Sequence, residues 1–471
     1  MEFNLSRAPT IRQTADACDA CGCAGECACA CPIDTRPRPF SFARAIPFCQ
    51  AWTAFYNRSV DQIRPAITLA SVDFLLSQRA RAALMELSTV KLGPDTLVHA
   101  AAGLRRTFSP NEAGALLAMA QLRGAARDKF PAADALFFTA EALEQATAWA
   151  IAAHRAAWLD QYAPPGAVLD LGCGIGGDTL ALAERRTVIA FEKDPLRLRF
   201  AQANAEALGL ARRIEFRLAD WTAELAAGHL PAAAAAFADP SRRVAGRRVF
   251  SLHGMEPPLS ALLALQCVVP ALGAKVMPSV ADDELPQQCG VEFISHAGVC
   301  KEAVLWFGPL AQQRRWASVH GPCGWLHLVA GGAAPPVGPL QAGMVLHEPD
   351  PALIRAGAFR ELCDQLCAHL FDPQIAYLVS HEERLHPLVQ SFRLAEVHPF
   401  NLKVLNRRLQ ALNIGTVELK KRGAPMAPEQ LRPRLKLAAG GRHAVVLFTR
   451  RGDDRLMLIG ERLAQEMARK D

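Results

Sequence analysis

The chain has 471 residues, 51% of them hydrophobic and 21% charged, with a formal net charge of +6. That composition excludes a fibrous or wholly disordered protein and leaves room for about three domains with cores of their own. The mild positive charge permits a polyanionic partner without requiring one. The most apolar run, residues 261–274, contains Gln266 and Pro270 and falls short of the roughly 20 residues a membrane span needs.

The first residues, MEFNLSRAPTIRQTADACDA, lack the basic start and apolar stretch of an export signal. A cytoplasmic location is expected, and with it an absence of disulfides. Seven of the 14 cysteines lie before residue 50. Within CDACGCAGECACAC, Cys18 and Cys21 make one C-x-x-C pair, but Cys27, Cys29 and Cys31 crowd too closely for a good tetrahedron. Residues 1–60 therefore read as an Ala/Cys/Gly-biased extension with the composition of a disordered segment. No metal is expected, since the histidines form no H-E-x-x-H pattern either.

Residues 61–160 carry apolar positions three and four apart, which predicts helices. Ser109 or Asn111 is placed to cap one of them. In FFTAEALEQATAWAIAAHRAAWL, Thr139 is expected to cap a single long helix, with Glu141 and Glu144 in its first turns, where the dipole favours carboxylates.

Residues 161–330 read as an α/β domain. Val168 to Leu171 is a short apolar strand, followed by a glycine loop, a helix and a second strand, VIAFE. Further strands are predicted at RIEFRLAD, AAAAFADP, AKVMP, VEFIS and AVLWFG. Strands alternating with helices imply a sheet with a ligand crevice at the strands' carboxyl ends. GGAAPPVGPL, residues 331–340, marks a boundary. A last domain, residues 331–471, has strand-like runs at GTVELKK, HAVVLFTRR and DRLMLIG.

The glycine loop carries the first chemical signal. Gly172, Gly174 and Gly176 allow a sharp turn and a close approach of backbone N–H groups to a ligand. Dehydrogenases and methyltransferases share that pattern, so the neighbouring acids decide between them. Asp170 would repel a pyrophosphate but suits the ammonium of a methionine moiety. Glu192 ends the second strand, where an acid accepts from ribose hydroxyls. Asp220 ends the third and can accept from an adenine amino group, with Trp221 beside it. Together they favour S-adenosylmethionine over a nicotinamide dinucleotide. The fourth apolar run ends in ADPSRR, residues 238–243, with Arg247 and Arg248 close behind. Lys275, in AKVMP, follows another strand and reads either as a residue of the pocket rim or as an ordinary exposed lysine, the second being preferred. Nine Lys or Arg lie between Lys403 and Lys436, in KVLNRRLQ, ELKKRGAP and LRPRLKL, against two acids. This run, which includes Lys420, Lys421 and Arg422, is expected to form a basic face for RNA.

DLGCGIGGDTLALA, FEKDPLRL, AQANAEALGL and DPSRR followed by GRRVF resemble a bacterial family of class I S-adenosylmethionine-dependent methyltransferases with a THUMP-like C-terminal domain. The match runs over roughly residues 70 to 465. The core is also similar to trimethylguanosine synthase, through its C-G-x-G-G-D-T run and a preceding Thr-x-Glu. The resemblance implies a seven-stranded Rossmann-like core, with an N-terminal helical region and a C-terminal α+β domain. It implies cofactor contacts from Asp170, Gly172, Gly174, Glu192 and Asp220, with Gly176 in the same loop, and RNA as substrate. No membrane and no obligatory protein partner are implied.

Amino-methylating enzymes carry Asp-Pro-Pro-aromatic where this chain has Asp239-Pro240-Ser241-Arg242. Asp239 and the Pro240 carbonyl remain to orient an acceptor nitrogen. Arg242 and Arg243 are expected to bind substrate phosphate, or else to pair with Glu256 or Glu292. Trp306 or Trp221 would supply the missing ring. The alternatives are a binding module with little or no catalysis, and a methyltransferase with a protein or small-molecule acceptor.

Overall fold

A computed structural model describes residues 67–464, apart from 242, 245, 246, 249, 250 and 426. The cysteine-rich extension lies outside the described residues. Four helices come first: α1 (Leu69–Leu76), α2 (Gln78–Ser88), α3 (Pro94–Leu104) and α4 (Pro110–Ala126). Ser109 caps α4 as a reciprocal box. Its Oγ accepts from the Glu112 N–H at 3.3 Å and its own N–H donates to Glu112 Oε2 at 2.8 Å. Leu75, Leu84, Leu116 and Met119 pack with Phe137 and Phe138 into one core.

The long helix expected after Thr139 is two helices, α5 (Ala140–Gln145) and α6 (Trp149–Tyr162). Thr139 does cap α5, accepting from the Ala142 N–H at 3.1 Å. The break comes from a residue distant in sequence. The Lys129 ammonium donates to the carbonyls of Leu143, Glu144 and Ala146 at 2.7, 3.2 and 3.2 Å. The Lys129 carbonyl accepts from the Trp149 N–H at 2.8 Å. A cation on the orphan carbonyls of a helix end is a C-terminal cap, and it outweighs the helix propensity that continues through residues 146–148.

The central sheet then forms. Its elements are β1 (Val168–Leu171), α7 (Gly177–Ala183), β2 (Val188–Glu192), α8 (Pro195–Ala207), β3 (Ile214–Leu218), α9 (Trp221–Ala226) and β4 (Ala235–Ala238). After a small hairpin of β5 (Arg243–Val244) and β6 (Arg247–Arg248) come α10 (Leu259–Val268), β7 (Leu272–Val276), β8 (Cys289–His296) and β9 (Val299–Phe307). A second hairpin, β10 (Arg315–Gly321) and β11 (Gly324–Val329), completes it. The order is β11-β10-β8-β9-β7-β4-β1-β2-β3. β3, β2, β1, β4 and β7 run parallel and β9 antiparallel between β7 and β8. The sheet is thus two strands wider than the seven expected, because the terminal hairpin lays β10 parallel to β8. β1, β4 and β7 are buried along their whole length, as parallel strands covered on both faces must be.

A second sheet is built from β12 (Val345–Pro349), α11 (Pro351–Ala356), α12 (Phe359–Leu366), β13 (His369–Leu370), β14 (Leu378–Ser380), β15 (Val389–Pro399) and α13 (Leu402–Ala411). It continues through β16 (Ile414–Lys421), α14 (Pro428–Leu431), β17 (Arg442–Arg451) and β18 (Asp454–Arg462). The order is β13-β14-β12-β15-β18-β17-β16. Two of its helices dock on the first sheet: Leu353 of α11 and Leu362 of α12 share a core with Leu272 and Val291. Polar contacts fix the angle. Arg315 Nε donates to the Ala356 carbonyl at 3.0 Å and Ser295 Oγ to Asp350 Oδ2 at 3.0 Å. Among the described residues, no helix is long and apolar enough to cross a membrane.

Gly273, the second residue of β7, is dictated by its neighbours. A Cβ there would lie 2.5 Å from the Trp306 ring and 3.0 Å from the Phe237 ring. Gly273→Ala should therefore overpack the sheet and cost about 1–3 kcal/mol. The expected result is an earlier urea midpoint for the transition followed by tryptophan fluorescence; an unchanged midpoint would mean the Trp306 ring moves freely.

Candidate active site

A cavity of about 920 Å³ opens at the carboxyl ends of β1, β2, β4 and β7, and residues 141–147 ahead of α6 close one side. The glycine loop forms its floor. Gly172, Gly174 and Gly176 have φ of 91°, 58° and 94°, which lies in the region where a side chain is strained. Gly172 and Gly174 line the cavity. Gly176 does not: it is the N-cap of α7, and a Cβ there would stand 3.5 Å from Ala201.

Each expected acid takes a distinct environment. Asp170 is 1% exposed and accepts from the Thr179 hydroxyl. Burial, together with nearby Asp178 and Asp239, pushes its carboxyl up to about 8, against the pull of Thr179 and Arg155. Glu192 ties the loop: its Oε2 accepts from the Gly174 N–H at 2.8 Å and its Oε1 from the Asp194 N–H at 2.9 Å. Asp220 caps α9. The Thr222 hydroxyl and N–H, at 2.6 and 2.9 Å, hold its carboxyl below the usual carboxylate range. Trp221 lines the cavity beside it.

Asp239 and Pro240, directly after β4, line the same cavity. The partner of Asp239 is a correction to the sequence reading. Lys275 is not an exposed lysine: it is 5% exposed and its ammonium lies 2.6 Å from Asp239 Oδ2 and 3.2 Å from Thr147 Oγ1. Beneath them Arg155, 2% exposed, bridges Asp178 and Glu302 and lies 4.7 Å from the centre of the Phe237 ring. Burial opposes its charge, yet Asp178, Glu302 and Asp239 hold its guanidinium above its usual range.

Three further expectations change. Trp306 does not face the cavity. It is fully buried against Phe237 and Trp158, with its Nε1–H donating to Glu292 Oε2 at 2.9 Å, so it has no surface to stack on a substrate. Glu292 is itself enclosed by His154, Ser318 and Trp306 and is closed to the loop arginines. Lys420 and Arg422 both pair with Glu348, so they brace the second sheet. Arg242 lies outside the described residues, and Arg243 is described only as backbone in β5.

Sequence reasoning missed Thr147, Arg155 and Asn204, and preferred the wrong reading of Lys275. The signal for Lys275 was a charge inside the apolar run LGAKV of a buried strand, where an unpaired ammonium would be costly. Asn204 gave no signal. It is buried in α8, its Oδ1 accepts from the Phe137 N–H at 2.7 Å, and its Nδ2 donates to the carbonyls of Phe137 and Ile175 at 3.1 and 2.9 Å. As a whole, the cavity offers carboxylates and a glycine-rich backbone, a donor and acceptor set suited to a cationic ligand rich in hydroxyl and amino groups.

Comparison with known proteins agrees with that chemistry. Residues 165–229 match the family described as a methyltransferase domain, and residues 389–462 the one described as THUMP domain-like. Uncharacterised S-adenosylmethionine-dependent methyltransferases from two strains of Mycobacterium tuberculosis are 34% identical over 326 residues, covering 67% of this chain and 85% of theirs. The crystal structure of a putative methyltransferase from Porphyromonas gingivalis superposes with a TM-score of 0.61 at 18% identity, over 80% of this chain and 100% of that one. The likeness in sequence, carried over most of both proteins, means that this chain belongs to the S-adenosylmethionine-dependent methyltransferases, takes S-adenosylmethionine as its cofactor, and ends in a THUMP-like domain.

Proposed function

We propose that the protein methylates RNA, at an amino nitrogen held by Asp239 and the Pro240 carbonyl. The observation that carries this reading is that Asp239 and Pro240 line one cavity with Asp170, Glu192 and Asp220. In this reading Asp170 pairs with the ammonium of the cofactor's methionine part, Glu192 accepts from its ribose and Asp220 from its adenine amino group. The bound cofactor supplies a methyl group on a sulfonium. Asp239 Oδ1 and the Pro240 carbonyl accept hydrogen bonds from the acceptor N–H groups and aim the nitrogen lone pair at that methyl carbon. With the cofactor bound, that nitrogen would take the methyl group as the C–S electrons return to sulfur. The extra proton leaves the nitrogen through Asp239 Oδ1 to solvent. Positioning carries most of the rate in such a displacement.

The RNA part of the reading is supported by the THUMP-like domain and by a compact group of cations on it. Lys403 and Arg407 are exposed one turn apart on α13. Asn406 and Gln410, on the same side of that helix, stitch it to the segment carrying Arg434 and Lys436. Asn406 Nδ2 donates to the Arg434 carbonyl at 3.0 Å, Asn406 Oδ1 accepts from the Lys436 N–H at 2.9 Å, and Gln410 Nε2 donates to the Lys436 carbonyl at 3.1 Å. Like charges one helical turn apart repel, and among the described residues none of the four forms an ion pair, so a phosphate backbone is a fitting counter-charge.

Labelled methyl from S-adenosylmethionine should enter RNA stripped from a strain lacking this gene. Asp239→Ala should slow that transfer on the order of 100-fold while cofactor affinity stays close to the parent's. Label passing to protein or to a small molecule instead would defeat the RNA reading. The perturbed Asp170 carboxyl makes cofactor binding pH-dependent. Below about 8 it is protonated in the free protein, and pairing with an ammonium expels that proton. Affinity should therefore climb with pH up to about 8, by at most about tenfold per unit. Calorimetry in two buffers of different ionisation enthalpy should register the released proton, and Asp170→Asn should abolish it. Finally, replacing Lys403, Arg407, Arg434 and Lys436 by Gln should flatten the salt dependence of RNA binding by about 0.7 in log–log slope for each phosphate no longer neutralised. An unchanged slope would remove this surface from the interface.

A further inference from the structure

Lys275 has a geometry that phosphate binding or simple charge balance does not require. It enters from β7 through a fully buried strand and ends in the cavity, between Asp239 Oδ2 and Thr147 Oγ1. Thr147 sits in the break between α5 and α6 that Lys129 enforces, so the position of its hydroxyl is set by the fold. An ammonium carries three donors and no acceptor. Among the described residues, two of the three are used: one on Asp239, one on Thr147. Asp239, in turn, has Oδ2 engaged by Lys275, while Oδ1 has no hydrogen-bond partner among the described residues. The cavity wall therefore offers a carboxylate acceptor with an ammonium donor directly beside it.

We propose that this pair reads the edge of the acceptor base. Asp239 Oδ1 accepts from an exocyclic amino N–H, and the remaining Lys275 proton is donated to the unprotonated ring nitrogen that stands next to that amine on the base-pairing edge. Adenine and cytosine present that donor-then-acceptor order on their pairing edges. Guanine's pairing edge sets a ring N–H against the ammonium, donor against donor. Uracil has no amine. A ribose hydroxyl has no ring nitrogen beside it to take the Lys275 proton. The inference rests on the RNA-methylation reading above and narrows it: the substrate is an RNA adenine or cytosine, and Lys275 is a specificity-determining residue. The pairing edge must be free of a complementary strand for this contact, so the target base is unpaired.

The full chain, labelled S-adenosylmethionine and RNA stripped from a strain lacking the gene provide the first arm, with the RNA digested to nucleosides. The expected product is adenosine or cytidine methylated on its exocyclic nitrogen. Methyl on guanine, on uracil or on a ribose oxygen overturns the base-edge assignment and leaves the RNA reading standing. No label in RNA, with cofactor still bound, overturns both. The second arm uses an oligonucleotide containing the modified site, made with the natural base and with the ring nitrogen replaced by C–H. The parent protein should lose about 10- to 100-fold in kcat/KM on the altered base, the scale of one hydrogen bond from a charged donor. Lys275→Met should show a similar loss on the natural base and no further loss on the altered one. Cofactor affinity measured on the same Lys275→Met sample reports whether its cavity is formed. If that variant fails to fold, the parent's comparison of the two oligonucleotides decides alone, and equal rates on both overturn the proposal.

Discussion

The site depends on how charge is balanced in its wall and just behind it. Asp170, Asp178, Asp239 and Glu302 lie close enough to influence one another, and against these four carboxyls stand two cations, Arg155 and Lys275. Buried charges are tolerated only when they are paired and hydrogen-bonded. Arg155 answers for Asp178 and Glu302, and Lys275 for Asp239. Asp170 is left over and keeps its proton instead. The cavity is thus poised one ionisation away from an excess negative charge, which a cationic ligand is able to absorb. Everything above it follows from this arrangement: the glycine loop approaches because Glu192 ties it, and Asp239 is held because Lys275 is fixed in a strand.

The parts of this site that could be read from the sequence are those built by neighbours in the chain. The turn after β1 needs positive φ at alternate positions, 172, 174 and 176, and only glycine supplies it cheaply. The acids at the ends of β1 and β2 and just beyond β3 follow from strand periodicity, and the Asp-Pro after β4 is a contiguous pair. The parts that could not be read are made by residues far apart. Lys275 and Asp239 are joined only because β4 and β7 are neighbours in the sheet. The helix break at Thr147 depends on Lys129, whose own surroundings in sequence give no hint of a cap. Trp306 read as a free ring because an aromatic near the end of a strand-like run looks the same whether it faces a pocket or a neighbouring indole.

The two sheets divide the work in a similar way. The first builds the cavity from strand ends, and the second carries the exposed cations of α13 on a helix held by side-chain bonds to the chain that follows β16. Between them, α11 and α12 bury leucines in the same core that supports β7 and β8. The basic run from Lys403 to Lys436 therefore has two fates. Lys420, Arg422 and Arg408 are drawn inward to Glu348 and Glu396, while Lys403, Arg407, Arg434 and Lys436 stay exposed.

Asn204 has a consequence for where this protein can be cut. One amide joins the strand-like segment at Phe137, which belongs with the N-terminal helices, to the carbonyl of Ile175 inside the glycine loop. Phe137 also stacks on Phe200 of the same helix, with ring centres 5.8 Å apart. A fragment beginning at the methyltransferase match would keep every glycine and every acid of the loop, yet it would lose the partner that satisfies Asn204 and expose the aromatic face beneath it. A piece that keeps this contact therefore starts ahead of Phe137, well before the matched segment, so in this molecule the nucleotide-type motif and the chain that supports it are different lengths.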